Sequence, residues 1–189
     1  GGVLIEKLQT FKGEVIPINP NHKIIQGKQC YSQVKKYKRK IDLAIIAIPA
    51  PLVNQALKQC GKKKIKNVII ISAGFSEKGN FELEKQLLKT AKKYKIKILG
   101  PNCFGIANPR INLDCTFANS TPKKGSTAFI SQSGALWSYI SDFPETKISN
   151  FVSLGNQAIL TFSDFIEYFN QDPKTKRIVL YIEKLKQGK

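Results

Sequence analysis

"DLAIIAIPAPLVNQALKQCGKKKIKNVIIISAG", residues 42–74, decides the fold class. Two unbroken runs rich in Ile, Val and Ala flank a helix-length amphipathic stretch, APLVNQALKQCGKK, that reaches a glycine stop. Apolar runs without alternation fit parallel strands buried on both faces, and a helix between two of them makes a βαβ unit. The pattern continues outward. Further β-branched runs stand at EVIPINP, KILGPN, TAFISQSG, NFVSLGN and RIVLYIE. Between them lie EKGNFELEKQLLKTAKKY, with Leu83, Leu87 and Leu88 on one face, and SDFIEYFNQD, which starts on a Ser/Asp cap. The reading is α/β. The turn-rich NPRINLDCTFANSTPKKGS is expected to cross between two sheets, with a division inside residues 110–125.

The chain has 189 residues, 42% of them hydrophobic, enough for a packed core in one large or two small domains. No apolar run approaches the roughly 20 residues that span a bilayer. The opening GGVLIEKLQTF lacks a basic region followed by an apolar one, so no secretion signal and a cytoplasmic location are expected. Cys30, Cys60, Cys103 and Cys115 form no C-x-x-C pair and lack companion histidines, which argues against structural zinc and a disulfide framework. The net charge of +18 raises nucleic acid as a partner. The lysines, however, interleave with apolar positions at helical spacing, as solvated outer faces do. The densest run, VKKYKRK at 34–40, reads as the polar end of a helix before a strand.

Five strands end in Pro, Gly, Asn or Ser: at Asn19-Pro20, Ile48-Pro49-Ala50-Pro51, Ser72-Ala73-Gly74-Phe75, Gly100-Pro101-Asn102-Cys103 and Ser131-Gln132-Ser133-Gly134. In an open parallel sheet, ligands bind outside the carboxyl ends of the strands, so these turns are expected to line one crevice. Three uses are open to the last of them. A nucleophile elbow needs Gly-x-Ser-x-Gly and a histidine base, but Ser131 stands where the first glycine belongs and the single histidine is His22. An anion cradle needs only N–H donors at a helix start, helped by hydroxyls. A plain N-cap needs one serine.

In this order the motifs FKGEVIPINP, DLAIIAIPAPLV, VIIISAGFSEKG, ILGPNCFGIANP, KKGSTAFISQSGAL, FVSLGNQA and DPKTKRIVLYIE resemble the α-subunit region of nucleoside-diphosphate-forming acyl-CoA synthetases. That group contains ADP-forming acetate–CoA ligase and the α subunit of succinyl-CoA synthetase. The resemblance covers almost the whole chain. It implies a Rossmann-like CoA-binding domain over residues 1–118 and the first part of a flavodoxin-like domain over residues 119–189. It also implies reversible conversion of an acyl-CoA, ADP and phosphate to a small carboxylic acid, CoA and ATP, through an acyl phosphate and a phosphohistidine. ATP or ADP with Mg is bound on an ATP-grasp partner, a β subunit or fused domain, giving a hetero-oligomer. No membrane, nucleic acid or metal on this chain is implied.

Carried over by position, Asn19, Pro20, Ile48, Pro49, Ala50 and Pro51 hold the nucleotide of CoA, and Ser72, Ala73, Gly74 and Phe75 lie beside them. Asn102 and Cys103 match the region of the thiol end and acyl group. Ser131, Ser133 and Gly134 open the helix that faces the phosphohistidine, and Glu183 matches the acid that orients it. The resemblance thus favours the anion cradle. Gly1 and Gly2 match the tail of a phosphate-cradling turn whose preceding strand is absent, and the chain stops before the histidine loop, so a fragment inactive by itself is expected. Two rival readings remain: a non-catalytic CoA-binding module such as that of a protein acetyltransferase, and a basic nucleic-acid binder.

Overall fold

A computed structural model describes residues 1–184. Along the chain come α1 (Gly2–Lys7), β1 (Ile24–Ile25), β2 (Lys28–Gln29), β3 (Leu43–Ile46), α2 (Ala50–Lys62), β4 (Asn67–Ile70), α3 (Phe81–Tyr94) and β5 (Lys97–Leu99). There follow β6 (Ile106–Asn108), β7 (Leu113–Asp114), β8 (Lys123–Ser131), α4 (Gly134–Ser141), β9 (Lys147–Ser153), α5 (Phe162–Gln171) and β10 (Arg177–Tyr181). β3, β4 and β5 form a parallel sheet with Leu43, Asn67 and Lys97 in one row. β10, β8, β9, β6 and β7 form a second sheet in that order, parallel from β10 to β9 and antiparallel from there to β7.

The opening stretch behaves as its composition dictates. Neighbouring strand residues point to opposite faces, so Val68, Ile70 and Ile98 pack under α2 and α3 with Val53, Leu57, Leu87 and Ala91. Ile69 and Leu99 point the other way, into a second core shared with Leu4, Leu8, Ala128, Ile130, Val152, Leu154, Phe162 and Phe169. Both faces of the first sheet are therefore covered, which is why its strands read as continuous apolar runs. Burying side chains such as Leu57 and Ile98 completely contributes about 1.5 to 3 kcal/mol each. On the far side of the second sheet Trp137 stacks on Phe151 with ring centroids 3.9 Å apart, beside Phe129.

The two sheets exchange backbone. After β9, residues 154–161 run back along the first: Asn156 N–H donates to Pro101 O, Ala158 N–H to Gly100 O and Leu160 N–H to Ile98 O, at 2.9 to 3.1 Å. In the other direction Ser153 N–H donates to Gly105 O, and the Ser153 hydroxyl accepts from Phe104 N–H. β6 and β7 join the second sheet before residue 118, so the division drawn at 118/119 does not coincide with the division between sheets. Their low apolar periodicity hid them: β7 is two residues long, and its Asp114 is buried for its polar partners rather than for packing.

Other expectations also change. Residues 14–20 make no ladder, only the bridge between Ile18 and Tyr31; Pro17 and Pro20 have no N–H to give one. The basic 34–40 run holds a single 3₁₀ turn, Val34–Lys36, not the end of a helix. α5 is capped by Thr161 in a reciprocal box with Asp164, two residues before the Ser/Asp start read from sequence. Leu87 is fully buried whereas Leu88 faces outward, being one residue past the face. No helix among the described residues is long and apolar enough to cross a membrane.

All four cysteines are free thiols. Burial pushes the Cys60 thiol up to about 11 and those of Cys103 and Cys115 to about 12. Thiolate, not thiol, reacts with disulfide reagents, so at neutral pH the native chain should release one equivalent of thiophenolate from such a reagent, from half-buried Cys30, and all four after denaturation. A second fast equivalent from the native chain would contradict the burial of the other three.

Candidate functional site

The site is built from strand ends. β3 ends beside the start of α2, whose N-cap, Pro49, supplies no side-chain hydrogen bond, leaving the first turn uncapped. β4 leads two residues on to Ser72, whose hydroxyl ties the two turns by accepting from Ile48 N–H at 3.1 Å and donating to Ile48 O. Gly74 adopts φ +108, and a Cβ there would stand 3.1 Å from that of Ala50, so only glycine allows this approach. Ser72 O accepts from Asn102 N–H at 2.9 Å, which adds the third turn. The 48–51, 72–75 and 102–103 turns are thus contiguous.

Their side chains do not all face the crevice. Phe75 is buried in the core under α2 and α3. The Cys103 thiol donates to Ile70 O and lies among buried side chains, so of the pair only exposed Asn102 presents its side chain. The Cys103 side chain is small and apolar enough to fill the space behind the turn. Asn19 caps its own turn by accepting from Asn21 N–H, and its N–H donates to Tyr31 O; no hydrogen bond among the described residues joins Asn19 or Pro20 to the other turns. Gly1 and Gly2 start α1, where a Cβ on Gly2 would come within 4.0 Å of Gln26.

Next to Asn102 the chain passes Phe104, and a Cβ on Gly134 would lie 2.7 Å from the Phe104 ring. The start of α4 therefore rests on the residue that follows the third turn. Here the serines are occupied: Ser131 Oγ accepts from Ser133 N–H at 3.0 Å and donates to Ser133 O, while Ser133 Oγ accepts from Leu136 N–H at 3.2 Å as the N-cap. Among the described residues the Gly134 and Ala135 N–H groups have no intramolecular acceptor. An α-helix leaves such donors at its start, where the dipole favours an anion. The N-cap and anion-cradle readings are therefore compatible, with the serines shaping the turn and the following amides free to donate.

Two residues were missed in the sequence. Gln132, between the two serines, donates its N–H to Tyr181 O and binds the backbone of residues 183 and 184 through its carboxamide. Glu183 is thereby held beside the 131–134 turn; its side chain is exposed, without a hydrogen-bond or ion-pair partner among the described residues. Asn156 ties the second sheet to the 72–75 turn region. Its Nδ2 donates to Glu77 at 2.6 Å and lies 3.2 Å from Ser76 Oγ and 3.3 Å from Glu84, and its Oδ1 accepts from Asn102 at 3.3 Å. Burial alone would raise the Glu77 carboxyl, but the Asn156 amide and the N–H groups of the turn hold it below its usual value. The Gly-Asn-Gln run after β9 was the available signal, since polar residues directly after an apolar strand belong to a turn. Among the described residues no group of three or more His, Cys, Asp or Glu is placed to hold a metal ion.

Comparison with known proteins gives the arrangement a context. Residues 1–109 match the CoA binding domain and residues 124–189 the succinyl-CoA ligase like flavodoxin domain. The ADP-forming acetate–CoA ligase of Methanocaldococcus jannaschii is 48% identical over 98% of this chain, and the α subunit of ADP-forming acetate–CoA ligase II of Pyrococcus furiosus is 44% identical over all of it. The chain spans 27% and 42% of the lengths of those two proteins. A dinucleotide-forming acetyl-coenzyme A synthetase 1 of Ca. Korarchaeum cryptofilum, solved with phosphate and ADP, superposes with a TM-score of 0.93 at 37% identity, covering 98% of this chain and 41% of that one. Order of turns, sheet topology and both domain matches agree, and the chain belongs to the ADP-forming acyl-CoA synthetase family, in which a CoA-binding domain is joined to a flavodoxin-like ligase domain.

Proposed function

We propose that this chain is the α region of an ADP-forming acyl-CoA synthetase acting on a small carboxylic acid, one that binds CoA and presents a phosphate-facing helix end to an ATP-grasp partner in the cytoplasm. One observation carries the reading. An unbroken series of contacts runs from Ile48 through Ser72, Asn102, Phe104 and Gly134 to Gln132 and Glu183. A CoA site and an anion site laid end to end are what acyl transfer from a thioester to phosphate requires.

The fit to CoA rests on the uncapped start of α2 and on the close approach that Gly74 permits. The Asn19-Pro20 and 48–51 turns hold its nucleotide part with the 72–75 turn beside them, and Gly1 and Gly2 are assigned to its phosphates. CoA supplies the thiol that carries the acyl group. Asn102 presents an amide where the thioester end would lie. The Gly134 and Ala135 N–H groups hold the phosphoryl anion, fixed before reaction and so without a reorganisation cost. Glu183 orients a partner imidazole by accepting its N–H and stabilises its charged form. The only histidine here, His22, lies in the exposed loop after Pro20, so the imidazole belongs to a segment outside these residues. A partner binds ATP or ADP with Mg, as a β subunit or fused domain.

The test separates the two halves of the site in the enzyme assembled with its ATP-grasp partner. Glu183→Gln should slow single-turnover phosphorylation on the order of a hundredfold, the scale of a positioned acid–base group, and leave CoA affinity unchanged. Ala73→Trp, at an exposed turn position, should weaken CoA binding at least tenfold and leave phosphorylation by ATP unchanged. If both variants moved the same quantity, or neither moved either, the reading would fail.

A further inference from the structure

We propose that Gln132 is a positioning residue that sets where Glu183 stands relative to the start of α4; this rests on the phosphate-facing role just given to that helix end. The β8–β10 ladder stops at the pair Ser131 and Tyr181. Beyond it Gln132 takes over the work of a neighbouring strand. Its backbone N–H donates to Tyr181 O at 3.1 Å. Its Oε1 accepts from Glu183 N–H at 2.6 Å and Lys184 N–H at 2.9 Å, and its Nε2 donates to Lys184 O at 3.0 Å. Four hydrogen bonds from one residue thus fix the backbone on both sides of Glu183.

The same residue is anchored at its other end. Gln132 lies between Ser131, buried with its hydroxyl on Ser133, and Ser133, which caps α4. Any displacement of the helix start is passed through a single carboxamide to residue 183. The Glu183 carboxylate takes no part in this, so its backbone is held while its oxygens stay available to an incoming donor. No other side chain among the described residues bonds to the backbone of residue 183. The carboxamide is also the shortest group that satisfies all three distances: Asn would fall one methylene short, and the carboxylate of Glu would set an acceptor against Lys184 O.

Amide hydrogen exchange in the 189-residue chain reads the clamp without reference to catalysis. In Gln132→Ala, exchange at Glu183 and Lys184 should quicken at least tenfold while β8 and β9 amides stay as they were; unchanged exchange would overturn the proposal. In the enzyme assembled with its ATP-grasp partner, Gln132→Ala should slow single-turnover phosphorylation about tenfold without altering CoA affinity. Gln132→Glu should be slow as well, since its carboxylate sets an acceptor against Lys184 O. Faster exchange with an unchanged phosphorylation rate, while Glu183→Gln slows it, would refute positioning and leave the proposed function standing. Should Glu183→Gln itself have no effect, the role of Glu183 falls, and the catalytic meaning of Gln132 with it.

Discussion

Gly155→Ala is expected to lower the stability of the chain by about 3 to 5 kcal/mol, a large part of what a domain of this size possesses. Gly155 has φ +55, and a Cβ there would lie 2.3 Å from Pro101 O and 2.5 Å from Asn102 O. Both neighbours are backbone, and Pro101 O already accepts the Asn156 N–H, so neither yields without opening the return of residues 154–161 along the first sheet. Gly79→Ala supplies the control. Gly79 also has positive φ, +78, but no atom lies within 4 Å of its added Cβ. Its cost is the backbone term alone, roughly 1 to 2 kcal/mol. Urea unfolding of both variants separates clash from dihedral strain. Equal midpoints would mean that the close approach at Gly155 is not maintained in solution.

Asp114→Ala should cost about 3 to 5 kcal/mol, the range found on removing one partner from a buried ion pair. Asp114 is 2% exposed. Its Oδ2 accepts from Lys7 Nζ at 2.8 Å and from Thr121 Oγ1, and its Oδ1 accepts from Thr116 N–H and Oγ1. Truncation strands a lysine whose side chain is 13% exposed, along with three neutral donors, and it unties α1 from β7. Lys7→Met in the Asp114→Ala background should recover part of the loss by removing the unpaired charge. A double-mutant cycle on the denaturation midpoint measures this; strict additivity would show that the two groups do not interact.

The parallel sheets were legible because their strands are covered on both sides, and double burial writes itself as an unbroken apolar run at 43–46 and 68–71. The turns were legible as a family pattern, and the glycine at 74 has a physical reason that spacing alone does not give. What stayed hidden depends on polar contacts between residues far apart in sequence. Asp114 sits in a segment that looks like a loop because its partners are Lys7, Thr116 and Thr121 rather than an apolar face. Gln132 has the same character: nothing local marks a glutamine whose carboxamide is spent on residues 183 and 184. The serines on either side drew the eye, yet their hydroxyls close the turn on itself. Extended segments misled in the opposite sense, since residues 14–20 have strand composition but two prolines where a ladder needs donors.

The mutual exchange of backbone between the sheets has a bearing on how such proteins can be recombined. Residues 106–114 belong by sequence position to the first unit and by hydrogen bonding to the second, while residues 154–161 belong by position to the second and lie along β5 of the first. A chimera spliced at any single point between them would inherit a seam whose two sides come from different parents. Gly155 against Pro101, Ser153 against Phe104 and Asn156 against Glu77 would all have to match across that splice. Shuffling of the two halves is therefore confined to donors that share the seam, and the natural unit of exchange is the pair.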